Sequence, residues 1–187
     1  RQNKAKEGVF LRICGTIAEF NPFHNGHKYF IDTLKSEPDT AVVAVMSGNF
    51  VQRGEPAIIS KFARAKAAVL CGVDLILELP LPYSISTAMH FATGAINILN
   101  SLGVVDTVCF GSESGDISPL NKIASLFKTP EFKAALKEEL SKGVTFAAAR
   151  QKAIERISPD VDLTILETPN DILAIEYILA AEHFSMN

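Results

Sequence analysis

The stretch LRICGTIAEFNPFHNGH, residues 11–27, decides the fold of this chain. Its first eight residues are mostly apolar or β-branched, a pattern that is typical of a buried β-strand. A turn that contains Asn21-Pro22 follows, and a helical pattern begins near His27 and continues to residue 34. A strand that leads through a turn into a helix is the first half of a βαβ unit, so the stretch predicts an α/β domain.

Other apolar runs extend this pattern along the chain. Residues 41–46, 75–79 and 107–110 predict buried strands, and residues 163–166 form a weaker fifth candidate. Helical patterns alternate with them at residues 61–71, 88–102, 120–127, 131–140, 145–157 and 172–180. The alternation predicts a Rossmann-like parallel sheet of about five strands flanked by helices, with a helical insertion before the last strand.

Composition narrows the class of protein. The 187 residues suit one domain over residues 11–187, and the charged residues 1–10 are expected to be an extension outside it. The formal net charge of −3 gives no general preference for nucleic acid. The three cysteines lie in apolar runs without metal-ligand spacing. No apolar run has the roughly 18 residues of a membrane span, so we expect no membrane association and a cytoplasmic location.

The turn after the first strand carries the strongest chemical signal. Ligands of open α/β sheets bind beyond the carboxyl ends of the strands, where this turn is expected. Gly26 permits close approach of a phosphate, and the following helix N-terminus favours an anion. One helical turn brings His24 and His27 to the same side, where imidazoles can donate hydrogen bonds to oxygens that gain charge. The same spacing also fits a solvated loop or a partial metal site.

Two other polar segments follow predicted strands. After the second strand, Arg53, Lys61 and Arg64 are weaker candidates for contact with polyphosphate or RNA, and each alone also fits a solvated surface charge. After the fourth strand, Gly111 permits close approach of a ligand. Glu113 and Asp116 fit contact with a ribose hydroxyl or magnesium, and they fit turn formation and helix capping equally well.

Four ordered motifs resemble one known family. They are GTIAEFNPFHNGH, VMSGNFVQRGEPAIISKFARAKAAVLCGVDLILELP, FGSESGDI and TPNDILAIEY, and together they are similar to the bacterial tRNA(Met) cytidine acetate ligases. The string from His24 to His27 resembles the His-x-Gly-His signature of the wider nucleotidylyltransferase superfamily. The resemblance extends from Ile13 to Tyr177. Members of the family are longer than this chain and carry a C-terminal helical region associated with tRNA.

The resemblance implies an ATP-dependent ligase. Acetate would attack the α-phosphate of ATP to give acetyl-adenylate and pyrophosphate, and the acetyl group would pass to the wobble cytidine of elongator tRNA(Met). Magnesium is expected to accompany ATP, without a dedicated set of protein ligands. Engagement of tRNA is expected to need the C-terminal region. The resemblance makes His24 and His27 catalytic, and it assigns ATP binding to Ile17, Ala18, Glu19, Phe20, Asn21, His24, Gly26, His27, Gly111 and Asn170.

Three other functions remain open from the residues alone. The first is a nucleotidylyltransferase that makes a nucleotide coenzyme, and the second is a non-catalytic nucleotide-binding module. The third is a metal-dependent hydrolase that uses His24, His27 and Glu19. Such a metal site usually has a distant third histidine or cysteine ligand, and none is evident in the sequence. The sequence does not predict the oligomeric state.

Overall fold

The computed structural model describes residues 11–186. The predicted extension at residues 1–10 therefore lies outside the described residues. Four parallel strands form the sheet in the order β3-β2-β1-β4. They are β1 (Arg12–Ala18), β2 (Thr40–Ser47), β3 (Leu75–Leu79) and β4 (Thr107–Val108). This arrangement confirms the predicted Rossmann-like fold, with β1 and β2 at the centre of the sheet.

Helices follow every strand. Between the strands lie α1 (Asn25–Leu34), α2 (Lys61–Leu70), α3 (Leu81–Ser84) and α4 (Ala88–Ser101). After β4 the chain forms α5 (Ile117–Lys128), α6 (Pro130–Ser141), α7 (Phe146–Ile157), a short 3₁₀ helix (Leu163–Leu166) and α8 (Pro169–His183). None of the helices in residues 11–186 combines the length and the apolar content that a membrane crossing requires.

The prediction of a fifth strand was wrong. Leu163–Leu166 form the 3₁₀ helix, and Asp162 Oδ1 accepts hydrogen bonds from the backbone N of Thr164 at 3.0 Å and from its Oγ1 at 2.7 Å. Such local side-chain hydrogen bonds compete with strand pairing, and a four-residue apolar run does not by itself distinguish the two. Within residues 11–186, the block of helices α5 to α7 therefore follows the last strand and does not precede one.

The sheet is buried on both faces, because helices cover each side. Alternate residues of β2 show this directly: Val43 and Val45 belong to a core with α4 and α8, whereas Val42, Ala44 and Met46 pack in a second core with α1 and α2. A third core lies among α5, α6, α7 and α8.

Helix α8 joins the helical block to the sheet. Its Ile175 lies in the core of the helical block, and its Tyr177 lies in the core between the sheet and α4. Both side chains are largely buried, at 0% and 6% exposure. The N-terminus of α8 is thereby held beyond the carboxyl ends of β1 and β4.

Candidate functional site

A cavity of about 550 Å³ opens beyond the carboxyl ends of β1 and β4. Its walls come from the end of β1 and the turn after it, the start of α1, the segment after β2, α4, the loop after β4 and the first half of α8. The structure brings to this one cavity all the residues to which the resemblance assigned nucleotide contact, namely Ile17, Ala18, Glu19, Phe20, Asn21, His24, Gly26, His27, Gly111 and Asn170.

The two histidines form a reciprocal cap at the start of α1. His24 is the N-cap residue, and its Nδ1 accepts from the backbone N of Gly26 at 3.1 Å and of His27 at 3.3 Å. His27 Nδ1 in turn accepts from the backbone N of His24 at 3.2 Å. Because Nδ1 of each ring accepts a hydrogen bond, the proton of each neutral imidazole is on Nε2. Each ring therefore keeps one N–H donor that the cap does not use.

His27 is held in its neutral form. Burial lowers the pKa of His27 to about 4, and the neighbouring His24 adds a smaller effect in the same direction. The ring of Phe20 meets the His27 ring edge-on at 5.0 Å, and the Phe23 ring lies 5.4 Å away. At neutral pH the His27 side chain is therefore an uncharged hydrogen-bond donor.

The turn between β1 and α1 has an unusual backbone. Phe20 has a φ of 47°, in the left-handed region, although it is not a glycine. Such a conformation costs about 1 to 3 kcal/mol, and the surrounding structure must hold it. The Phe20 side chain is 1% exposed and lies in the core of α1 and β2. Its burial therefore fixes the turn directly beneath the histidines.

Two hydrogen bonds attach this turn to the segment after β2. Glu19 Oε1 accepts from the backbone N of Gln52 at 2.7 Å, and Asn21 Oδ1 accepts from the backbone N of Ile58 at 2.8 Å. These side chains close one wall of the cavity, which also includes Arg53. The two loops that leave the central strands therefore form one connected surface.

The position of Arg64 disagrees with its predicted role in contact with phosphate or RNA. Its side chain is among the largest fully buried ones, at 0% exposure. The guanidinium donates to the backbone carbonyls of Glu19, Gly48 and Ile59. Burial lowers the pKa of Arg64, and the carboxylates of Glu19 and Glu78 act against that effect. The predicted contact of Arg64 with phosphate or RNA is contradicted, because the group is enclosed and committed to the backbone.

The other two basic candidates, Lys61 and Arg53, differ in their position relative to the cavity. Lys61 forms an ion pair with Glu78, with Nζ 2.6 Å from Oε2, and it is not among the described residues that line the cavity. Arg53 does line the cavity and is exposed. Of the three cations that the sequence suggested, Arg53 is thus the one that the fold places where a bound anion could meet it.

Glu113 and Asp116, for which the sequence left two roles open, both cap helices. Asp116 is the N-cap of α5, and its Oδ1 accepts from the backbone N of Ser118 at 2.8 Å. Glu113 accepts from the backbone N of Asn170 and of Asp171 at the start of α8. The structure therefore favours the capping interpretation of both acids. Within residues 11–186, no group of three or more His, Cys, Asp or Glu side chains is placed to hold a metal ion.

Sequence reasoning missed an apolar wall of the cavity. It consists of Phe91 from α4, Phe110 after β4, and Leu173 and Tyr177 from α8. The rings of Phe110 and Tyr177 lie 5.7 Å apart, and burial raises the pKa of Tyr177, with a further contribution from Glu19. These side chains follow the same apolar periodicity as core residues, so only their tertiary position distinguishes them.

Comparisons with known proteins identify the family of this chain. The family model described as HIGH Nucleotidyl Transferase matches residues 11–187. The tRNA(Met) cytidine acetate ligase of Caldanaerobacter subterraneus subsp. tengcongensis is 51% identical over an alignment of 174 residues, and the match covers 91% of this chain and 43% of that protein. The ligase of the same name from Caldicellulosiruptor saccharolyticus is 53% identical over an alignment of 171 residues, and the match covers 90% of this chain and 42% of that protein.

A solved structure shows the same fold. The crystal structure of Thermotoga maritima TmcAL bound with alpha-thio ATP has a TM-score of 0.87 and 43% sequence identity, and the match covers 95% of this chain and 45% of that one. This chain thus spans less than half the length of the relatives it matches. The chain belongs to the HIGH nucleotidyl transferase family, and its resemblance to the tRNA(Met) cytidine acetate ligases of that family is confirmed.

Proposed function

We propose that this chain is the ATP-binding catalytic part of a ligase that activates acetate and acetylates the wobble cytidine of elongator tRNA(Met). The observation that carries the proposal is the reciprocal cap of His24 and His27 in the wall of the cavity. It leaves two Nε2–H donors next to the N-terminus of α1. That combination is suited to a triphosphate whose oxygens gain negative charge during the reaction.

In the proposed first step, a carboxylate oxygen of acetate attacks the α-phosphorus of ATP. The bond between the α-phosphorus and the bridging oxygen breaks, and pyrophosphate leaves with the electron pair. His24 and His27 donate hydrogen bonds to the phosphate oxygens as their charge increases. Because the pKa of His27 is about 4, its ring is uncharged at neutral pH and stabilises the developing charge through its Nε2–H hydrogen bond and not as a cation.

The nucleoside is proposed to lie against the other side of the cavity. Gly111 and Asn170 lie there together with the apolar wall that includes Phe110 and Tyr177. An apolar wall with a few polar groups is the usual lining of a small-molecule site. The solved TmcAL structure with alpha-thio ATP supports ATP as the nucleotide. Magnesium is proposed to arrive with the triphosphate.

In the second step, the exocyclic amine of the cytidine attacks the acetyl carbonyl and AMP leaves. The names of the matched relatives support tRNA(Met) as this acceptor. Because the chain spans less than half of their length, we propose that tRNA binding requires the remainder of the longer protein.

The test is ATP–pyrophosphate exchange, measured with and without acetate, on this chain and on the full-length protein. Exchange that depends on acetate and is abolished by His27→Ala would support the proposed activation step. His183→Ala is the matched control, since this exposed histidine lies at the far end of α8. Exchange with a phosphorylated acceptor and not with acetate would indicate a coenzyme nucleotidylyltransferase. ATP binding without any exchange, in the full-length protein too, would indicate a nucleotide-binding module.

A further inference from the structure

The N-terminus of α8 is capped by a distant loop. Thr168 occupies the N-cap position, but its side chain makes no capping hydrogen bond to the first amides of the described helix. Glu113, in the loop after β4, supplies the acceptors instead. Its Oε1 lies 3.2 Å from the backbone N of Asn170, and its Oε2 lies 2.9 Å from the backbone N of Asp171. One carboxylate therefore satisfies two amides that the helix leaves free.

Helix α8 returns the contact. The Asp171 side chain is 2% exposed, and its carboxylate accepts from the backbone N of Ser114 at 3.2 Å and from Ser114 Oγ at 3.2 Å. Thr168 Oγ1 donates to the same carboxylate at 3.0 Å. Two acids, one on each segment, thus fasten the loop and the helix to each other. The loop also carries Gly111, and the helix carries Asn170, both of which line the cavity.

The Glu113 contact also fixes the side chain of Asn170. Asn170 Nδ2 donates to Glu113 Oε1 at 2.9 Å. A carboxylate can only accept, so the amide cannot rotate to exchange its oxygen and nitrogen without losing this bond. None of the hydrogen bonds within residues 11–186 uses Asn170 Oδ1. Asn170, which lines the cavity, therefore keeps a carbonyl oxygen that is available to accept a hydrogen bond from a ligand.

We infer that Glu113 is a positioning residue for nucleotide recognition, which holds Asn170 so that its carbonyl oxygen accepts a hydrogen bond from a donor group on the nucleoside. The inference rests on the proposed function, because it requires a nucleotide in this cavity. The donors that ATP offers on its nucleoside are the two ribose hydroxyls and the exocyclic amine of adenine. Glu113 itself is not among the described residues that line the cavity, so its effect passes through Asn170.

Binding of ATP and three analogues distinguishes the donors. Each analogue lacks one of them: 2′-deoxy-ATP, 3′-deoxy-ATP and the triphosphate of unsubstituted purine riboside. Calorimetric titration of the wild-type chain should show that one analogue binds about tenfold more weakly than ATP, the loss expected for one hydrogen bond. The same analogue should lose little further affinity in Asn170→Ala, where the acceptor is already gone.

Glu113→Gln is the decisive variant. A glutamine has one oxygen, and its NH₂ group must face either the Asn170 donors or the Asp171 amide, so the fixed geometry is lost. We expect ATP to bind about tenfold more weakly and the discrimination against that one analogue to fall towards unity. Asp116→Asn is the matched control, because it removes the same charge from the same loop and keeps an acceptor for the α5 cap. Asp116→Asn should preserve both the affinity for ATP and the discrimination against the analogue.

A second measurement does not depend on a ligand. The NMR resonances of the Asn170 side-chain amide should shift in Glu113→Gln and remain in place in Asp116→Asn, with unchanged circular dichroism in both variants. Unchanged Asn170 resonances, or full discrimination between ATP and the analogue in Glu113→Gln, would overturn the inference alone. If neither this wild-type chain nor the full-length protein binds ATP, the proposed function is overturned, and this inference with it.

Discussion

The imidazole rings of His24 and His27 stack with their centroids 3.7 Å apart and their planes 22° apart, while each Nδ1 accepts a hydrogen bond from the backbone N of the other residue. The same contacts that begin α1 therefore orient two Nε2–H donors. In this protein the cap of a helix and the proposed catalytic groups are the same side chains, so variants must separate the two roles.

The variant His24→Asn separates the cap from the proposed catalysis. Asparagine is a good N-cap residue, so the free energy of unfolding should stay within about 0.5 kcal/mol of the wild-type value. Its short side chain cannot place a donor where Nε2 lies, so acetate-dependent exchange should fall about a hundredfold or more. Chemical denaturation and ATP–pyrophosphate exchange on the same preparation check both parts. Wild-type exchange in a stable variant would remove His24 from the mechanism.

The buried position of His27 makes stability depend on pH. Its pKa is about 4 in the folded chain, against 6.5 when the ring is free, so between these values the unfolded chain binds more protons. The free energy of unfolding should therefore decrease as the pH falls from about 6.5 to 4. In His27→Gln, which keeps an acceptor for the capping box, this part of the decrease should disappear. Urea denaturation at several pH values checks the slope, and an equal slope in the variant would contradict the assignment.

Arg64 should matter for stability and not as a ligand contact. Arg64→Met leaves the carbonyls of Glu19, Gly48 and Ile59 without their donor in a buried place, which should cost about 3 kcal/mol of unfolding free energy. Lys61→Met, on the same helix, breaks a partly exposed ion pair and should cost less than about 1 kcal/mol. Urea denaturation of both variants checks the difference. Unchanged stability together with loss of RNA or ATP binding in Arg64→Met would restore the original expectation.

Local patterns in the sequence, namely apolar runs and turn residues, correctly predicted several strands and the main turn. Strong apolar runs gave β1, β2 and β3, and the turn from Asn21 to His27 was placed correctly at the end of β1. The run at residues 163–166 misled because an acid next to it caps a 3₁₀ turn.

The remaining features depend on contacts between residues far apart in sequence. Arg64 looks like a surface cation on α2, and only the meeting of two loops over it makes it a core residue. Glu113 meets Asn170 across 57 positions, a partnership without a local pattern. The strain at Phe20 likewise depends on the core that encloses its ring. The sequence alone could identify the candidate binding residues, but it could not show which other side chains hold them in position.

Gly111 tests whether a nucleotide approaches the backbone after β4. A Cβ atom built on Gly111 meets no atom of the described chain within 4 Å, so the fold itself should tolerate Gly111→Ala. The melting temperature should be unchanged. If the nucleoside packs against this backbone, as proposed, the added methyl group will clash with it and weaken ATP binding about tenfold or more. Calorimetric titration with ATP checks this, with free pyrophosphate as the comparison ligand, since its binding at the histidine end of the cavity should not change. Equal affinity of the variant and the wild type for ATP would place the nucleoside away from Gly111.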